Sequence, residues 1–273
     1  MSTQLGPMTI LRNAHSDREL LEFYDKLLDR EMALMAGMPL TGRTWQVVAA
    51  LLVARALQLQ RACLDLATLG YSRELTATAR SMLMTVMSLI FLVNGTSHKV
   101  RDAKAVRYLT HQRKSRRKLL KYMVRSRWMT AADARAQDAL ETKAEDEFLA
   151  SARAAEIEPL RVGPDERYWT GYDDKKLFEK LRLRRWYYHH YSPWSDESHA
   201  GASSLNEFAA DRDSTNAFNI GPHGRSPWFD LLPTAEFGVQ IVAQARRIYR
   251  QSHRTEVQDL WKDVQQTFSR LKR

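Results

Sequence analysis

The chain has 273 residues, of which 44% are hydrophobic and 10% aromatic, so it can bury a sizeable core and is not disordered as a whole. Helix-forming residues are abundant while Gly (11) and Pro (8) are scarce, which predicts an all-α fold with 1–273 as a single domain. With one cysteine, Cys63, and no apolar leader at its start, the sequence excludes an internal disulfide and a cysteine-based metal cage and predicts a cytoplasmic protein.

The net charge of +10 arises in one segment of the chain. Between Lys99 and Arg127 there are twelve Lys or Arg residues and a single acid, Asp102, which gives a local balance of +11. The other residues together carry −1. The excess of positive charge therefore belongs to one local feature and not to the surface as a whole.

Three helices are predicted before this basic segment. The first begins at a capping box, 16–19, and ends before Gly37. The second covers about 44–69 and the third about 72–93, with Gly70 between them as a left-handed stop. Because the connection is so short, the second and third helices form the predicted central hairpin of a multi-helix bundle.

The apolar pattern of this hairpin predicts what it buries. Residues 47–54 are apolar on every side of the helix and are expected to be covered on most faces. The stretch 82–93 would span about 18 Å as a helix, well short of a bilayer core of about 30 Å, which predicts a core helix and no membrane contact. The side chains expected at the centre of the core are Leu51, Leu83, Leu89 and Phe91.

Residues 99–158 are predicted to form a charged helical hairpin. Within its basic helix, 112–118 carries no apolar side chain over two helical turns, so it must face solvent or a partner. The following helix opens at Thr130, and 130–158 contains eight acids and three bases. A basic helix followed by an acidic one favours an antiparallel pair in which each partly neutralises the other.

The basic helix is also the predicted binding surface for RNA or DNA, since clustered cations neutralise phosphates. Tyr108, Tyr122 and Trp128 flank it and offer aromatic rings. Two alternatives stay open: a solvated face paired with the acidic helix, and a protein partner that docks on the charged hairpin. The candidate contacts share a long cationic side chain and are Arg113, Lys114, Arg116, Arg117, Lys118 and Lys121.

Beyond the hairpin the pattern alternates between connectors and helices. Four of the eight prolines fall in one irregular stretch, so the sequence predicts a loop-rich segment there. The predicted segments are a connector at 159–171, an aromatic helix at 173–190 ended by Pro193, a loop-rich segment at 192–233 with a short extended piece at 216–220, and closing helices at 234–251 and 256–270.

The densest cluster of reactive side chains lies at 184–199. Arg185 and His190 have the loose spacing of the helical HEPN ribonucleases, which this segment resembles; there a histidine transfers the proton and an arginine stabilises charge on the phosphate without a metal. Ser195 and His199 are the other candidate catalytic residues. The competing interpretation is an aromatic helix packed on the core, with Ser195 and His199 hydrogen-bonded to hold the loop. Adjacent histidines on a helix point about 100° apart, so both rarely reach one metal ion and no metal site is predicted. No cofactor is predicted either.

Several short motifs resemble a known family. They are Trp169-x-Gly171, the tyrosines at 187, 188 and 191, Ser195-x-x-x-His199, Arg80-Ser81-Met82-Leu83 upstream, and Ile220-Gly221-Pro222 downstream. Over roughly 45–251 the chain resembles the bacterial family known as domain of unknown function 5677. The resemblance implies an all-helical fold and no established activity. The family tends to place a glutamate shortly after the arginine, where this chain has Met84, so an Arg–Glu pair within that helix is not expected.

The sequence thus predicts an uncharacterised helical protein that binds nucleic acid through its basic helix in a regulatory or phage-defence role. The alternatives are a metal-independent HEPN-like ribonuclease and a protein-interaction module. No oligomeric state is predicted.

Overall fold

The structure is a computed structural model that describes residues 14–36, 42–160, 167–198, 228–249 and 254–271. These residues form helices joined by turns, with no strand among them, which confirms the predicted all-α multi-helix bundle. The predicted extended piece at 216–220 lies outside the described residues. The helices are α1 (Ala14–Met35), α2 (Thr44–Thr68), α3 (Ser72–Val93), α4 (His98–Arg125), α5 (Ala131–Ala154), α6 (Asp174–Lys180), α7 (Arg184–Trp186), a π-helix (Tyr187–Tyr191), α8 (Ser192–Ser198), α9 (Trp228–Tyr249) and α10 (Arg254–Leu271).

The α2–α3 hairpin is the centre of the fold, as predicted. Its turn depends on Gly70, whose φ of 79° lies in the left-handed region that glycine adopts without strain. The Gly70 N–H donates to the Ala67 carbonyl at 3.1 Å, and the Tyr71 N–H donates to the Leu66 carbonyl at 2.9 Å. These bonds satisfy the last carbonyls of α2 and reverse the chain within three residues.

The core forms where α9 packs across both α2 and α3, with α1 against α9 and α2, and α8 against α3. Close approach of α9 depends on Gly238, where an added Cβ would lie 2.4 Å from the Gln60 side chain. The helix α4 packs on α2 and on α5, so the charged hairpin is joined to the core through α2. Large, fully buried side chains of this core include Tyr24, Leu83, Met87, Phe178 and Phe237.

Three of the four predicted core positions are confirmed. Leu83, Leu89 and Phe91 are buried at 0%, 1% and 4% exposure. Leu51 was predicted to be buried, and this is wrong, because its side chain is 36% exposed. It lies on a face of α2 that no other helix covers within the described residues. The exposed residues of that face recur at helical spacing and are Leu51, Ala54, Arg55 and Gln58.

Two helices, α2 and α3, are long and apolar enough to cross a membrane by length and composition alone. The stretch 82–93, which was predicted to be too short to span a bilayer, is only part of α3. The whole helix has 22 residues and is long enough. In the most apolar stretches of the two helices, 61% and 56% of the residues are buried inside the protein. Packing in the centre of the bundle thus accounts for their apolar character.

Two predicted boundaries are wrong at the ends of helices. The first helix begins at Ala14, so Ser16 lies inside its first turn and the predicted capping box does not set its start. The helix α9 begins at Trp228 and contains Pro233, so the predicted loop does not extend to 233. Pro233 is the sixth residue of this helix, beyond the first turn in which N–H groups have no partner, so the helix continues with one i to i−4 hydrogen bond missing.

The predicted aromatic helix at 173–190 is broken into shorter pieces. Its first piece, α6, ends at a turn in which Arg182 adopts a φ of 60°. The chain then enters α7 and a π-helix, in which the Ser192 N–H bonds to the Tyr187 carbonyl, five residues back. Pro193 does not end the helix as predicted; it lies in the first turn of α8. The wider π turn just before Pro193 leaves room for the proline ring, so the helical path continues.

Candidate functional site

The basic helix α4 turns one of its faces toward the acidic helix α5. Arg113 donates to Glu145 and to Asp146, each at 2.7 Å. The pKa of Asp146 lies below its usual value, chiefly because Arg113 donates this hydrogen bond to it. These contacts carry the antiparallel pairing that the charge pattern predicts.

Arg116 is the centre of this ion-pair network. Its guanidinium lies 3.2 Å from Asp138 and 3.1 Å from Glu141, and it also donates to Glu145. Its side chain is only 12% exposed. Arg117 adds a pair with Asp138 at 3.0 Å. The planar guanidinium suits this role because it donates several hydrogen bonds in fixed directions.

A second face of α4 carries cations that remain in solvent. Lys114, Lys118, Lys121 and Arg125 follow one another at spacings of four, three and four residues, so they form one stripe along the helix. The stripe lies about 110° around the helix axis from the arginines that contact α5. All four side chains are exposed, and none forms an ion pair within the described part of the chain. We call this stripe the lysine face.

An exposed aromatic pair lies at the turn where α4 ends. Trp128 and Tyr122 meet edge to face with ring centroids 5.9 Å apart. They are 72% and 55% exposed. The turn is held by the Trp128 N–H, which donates to the Met123 carbonyl at 2.9 Å, and by Arg127 in a left-handed conformation with a φ of 59°. Large aromatic side chains at such exposure are available to a partner.

The candidate catalytic histidine His190 lies in an apolar setting. Its ring centroid is 5.5 Å from that of Trp194 and 5.7 Å from that of Phe237. Burial, with smaller contributions from the charges of His189 and Arg185, lowers the pKa of His190 to about 4. The ring is therefore neutral near pH 7 and packs as part of the aromatic layer against α9.

Two other candidate catalytic residues, Arg185 of α7 and Ser195 of α8, lie on either side of the π-helix that carries His190. Arg185 is exposed. Burial of Glu236 raises the pKa of that carboxyl, and the charge of Arg185 offsets part of the rise. Ser195 is half-buried on α8, one turn after the π-helix. His199 lies outside the described residues, so its candidate role stays a prediction.

Two residues of the family resemblance meet a third that sequence reasoning missed. Arg80 of α3 donates to the phenolic oxygen of Tyr191 at 3.2 Å, and Tyr191 in turn donates to Asp174 of α6. The carboxylate in this chain of bonds comes from Asp174 on another helix, because α3 has Met84 and no acid shortly after Arg80. Asp174 has no sequence signal beyond its place at the start of a helix.

The Trp169-x-Gly171 motif anchors the connector to the core. The ring of Trp169 is buried and meets Phe91 and Tyr108 edge to face, at centroid distances of 5.2 Å and 5.0 Å. Gly171 has a φ of 76°, which is a left-handed conformation. These residue types are therefore explained by packing and by backbone geometry.

The fold is thus a helical bundle whose motif residues join α3, α6 and the π-helix. Residues 46–217 match the family of unknown function DUF5677. The chain belongs to this family, because the match covers more than half of it. The match includes nearly all of α2 and all of α3 to α8, and it ends before the 220–222 motif of the predicted resemblance. No curated protein and no solved structure matches the chain.

Proposed function

We propose that the protein binds nucleic acid through the lysine face of α4 and the aromatic pair at its end. The observation that carries the proposal is the division of the basic helix into two faces. Ion pairs with α5 engage Arg113, Arg116 and Arg117, while the lysine face has no such partner in the described chain. The proposal therefore places the phosphate contacts on Lys114, Lys118 and Lys121 and gives the arginines a structural role.

The arrangement suits an extended polyanion. The lysine face extends over twelve residues of α4, with a rise of about 17 Å from the first to the last, which is comparable with the separation of several successive phosphates. Each phosphate that an amine neutralises releases a counterion, so the contact needs no base-specific geometry. The exposed rings of Tyr122 and Trp128 add surfaces on which an unpaired base can stack. A cytoplasmic location, where RNA and DNA are accessible, fits this proposal.

Fluorescence anisotropy with a labelled twenty-nucleotide RNA tests the proposal. The variant exchanges three amines for amides: Lys114→Gln, Lys118→Gln and Lys121→Gln. We expect its affinity to fall at least about ten-fold and the slope of log affinity against log salt to fall in size by about 2. Its melting temperature should stay unchanged, because these lysines support no described ion pair.

The matched control carries the same change of charge on exposed lysines of other helices: Lys26→Gln, Lys175→Gln and Lys262→Gln. The control should keep the affinity within about two-fold, since it has the same net charge as the first variant but an intact lysine face. An equal loss of affinity in both triple variants would show non-specific attraction and would overturn the assignment to the lysine face. A salt slope that the first variant leaves unchanged would overturn it too.

A further inference from the structure

A cavity of about 520 Å³ lies at the other end of α4, between the start of α2, the α3–α4 connection and α9. Its lining combines cationic and apolar side chains. The cationic or polar groups come from His98, Arg101 and Arg247, and one wall is formed by Ile90, Val93 and Ile248. Among the described residues that line it there is no Asp or Glu.

Arg101 is held in place at the edge of this cavity. Its Nε donates to the Val93 carbonyl at 3.0 Å, and its guanidinium carbon lies 5.0 Å from the centre of the Trp45 ring. No hydrogen bond from its terminal nitrogens occurs among the described residues, so these donors are available to a ligand. Arg247 of α9 is exposed and lines the same cavity.

Other charges around Arg101 leave the cavity positive. Asp102 accepts a hydrogen bond from the Trp45 backbone N–H at 3.0 Å and pairs with Arg43 at 3.7 Å, so its charge is taken up at the start of α2. Behind the cavity, Lys104 donates to the carbonyls of Phe91 and Asn94 at 2.6 Å and 2.8 Å. Burial, together with the nearby charge of Arg101, lowers the pKa of Lys104 to about 8.

The start of α4 contributes a further positive field. This helix has 28 residues, begins at His98 and is capped by Ser97, whose hydroxyl accepts from the Val100 N–H. The partial positive charge at its N-terminus therefore lies beside the cavity that His98 lines.

The ring of Trp45 is held in place by its packing on His98. Trp45 lines the cavity, is only 2% exposed and stacks on His98 with ring centroids 5.7 Å apart. Its buried N–H has no acceptor among the described residues. This nitrogen has almost no exposed surface, so Trp45 presents its aromatic ring and not its N–H to the cavity.

We propose that this cavity binds a small organic phosphate of the size and chemistry of a nucleoside monophosphate. Arg101 and Arg247 hold the phosphate, and the apolar wall takes the nucleoside. The volume lies within the usual range for small-molecule sites of about 300–1,000 Å³. His98 is sixteen residues from Lys114, about 24 Å along α4, so the site is separate from the lysine face.

Isothermal titration calorimetry of the full chain with adenosine monophosphate tests this proposal. We expect one site, and an affinity at least about ten-fold above that for adenosine or for inorganic phosphate. Tighter or equal binding of inorganic phosphate would overturn the nucleoside part of the proposal. Absence of saturable binding at about 5 mM would overturn the site itself.

Two arginine variants locate the site. Arg247→Gln and Arg101→Gln should each weaken binding at least about ten-fold, by loss of a charged hydrogen bond to the phosphate. Arg247 is exposed, so that variant tests the site even if loss of the Arg101 bond to Val93 disturbs folding. Arg135→Gln, at an exposed position of α5, is the control and should bind as the parent does. An unchanged affinity in Arg247→Gln would overturn the assignment, and so would a loss of binding in the lysine-face triple variant.

Discussion

The Arg80 guanidinium donates a hydrogen bond to the Tyr191 hydroxyl at 3.2 Å and also lies over the same ring, 5.2 Å from its centre. The Tyr191 hydroxyl in turn donates a hydrogen bond to the Asp174 carboxylate. Burial raises the pKa of Tyr191, and the carboxylate of Asp174 adds to the rise, so the phenol keeps its proton and can donate. Three separate helical segments therefore meet at one hydroxyl group.

Removal of that hydroxyl is the first prediction. Tyr191→Phe should lower the free energy of unfolding by about 1–2 kcal/mol, because Arg80 and Asp174 each lose a partner in a partly buried setting. Tyr188→Phe removes a hydroxyl from a half-exposed ring of the same π-helix. It should change the free energy of unfolding by less than about 0.5 kcal/mol. Urea denaturation measures both. Equal effects in the two variants would show that the hydroxyl of Tyr191 has no special role.

The second prediction concerns the charged hairpin. Arg116→Ala should lower the free energy of unfolding by about 1–3 kcal/mol, because it leaves the carboxylates of Asp138 and Glu145 close together without their shared cation. Lys114→Ala removes the same charge from the lysine face and should cost less than about 0.5 kcal/mol. The comparison is made by thermal and urea denaturation at low salt. A Lys114 variant as destabilised as the Arg116 variant would contradict the division of α4 into two faces.

The third prediction is a dependence of stability on pH. Burial raises the pKa of Glu31 to about 8, and Gln60 and Arg30 offset the rise only in part. In the unfolded chain this carboxyl titrates near its ordinary value of 4.5. Between these two values the folded protein holds a proton that the unfolded chain has lost. The stabilisation is therefore complete below pH 4.5 and is lost as the pH rises through 8.

Glu31→Gln tests this dependence, because glutamine stays neutral at every pH. The stability of the variant relative to the parent should rise by about 1.4 kcal/mol for each pH unit between 5 and 8. His190 acts in the opposite direction: its pKa is about 4 in the folded protein and near 6.5 in the unfolded chain, so it makes stability rise with pH between these values. Both proteins contain His190, so its contribution cancels in the difference between them. Urea denaturation at several pH values gives the slope. A flat difference would mean that Glu31 is charged in the folded protein.

The fourth prediction uses two leucines of the central hairpin. Leu83→Ala removes a fully buried side chain and should cost about 2–5 kcal/mol through the cavity that it leaves. Leu51→Ala acts on the uncovered face of α2 and should cost less than about 1 kcal/mol. Both values come from the same denaturation series. A large loss in Leu51→Ala would show that another surface covers that face in solution.

Local signals made the ends of the central helices predictable. Gly70 stops α2 because of its own backbone freedom, and such a signal needs no knowledge of the rest of the fold. The error at Leu51 has a different origin. Since 47–54 is apolar on all sides, its pattern does not reveal which narrow face stays uncovered once α3 and α9 have packed.

The rotation of α4 about its axis could have been found from the sequence. Leu109, Arg113, Arg116 and Leu120 recur at spacings of four, three and four, so the buried leucines place these two arginines on the inner face. The π-helix and the contact of Tyr191 with Asp174 could not have been found in this way. Both depend on how the short segments between 174 and 198 settle on α3, which is a property of the assembled bundle.

The division of α4 between guanidinium and amine groups has a chemical consequence. Acylating enzymes and reagents react with lysine amines, whereas the arginines that contact α5 present no such nucleophile near neutral pH. Acetylation of Lys114, Lys118 and Lys121 would therefore remove the charge that we assign to the ligand and leave the ion pairs with α5 intact. Acylating reagents can therefore reach the amines of the lysine face, while the guanidinium groups that hold α4 against α5 do not react with them.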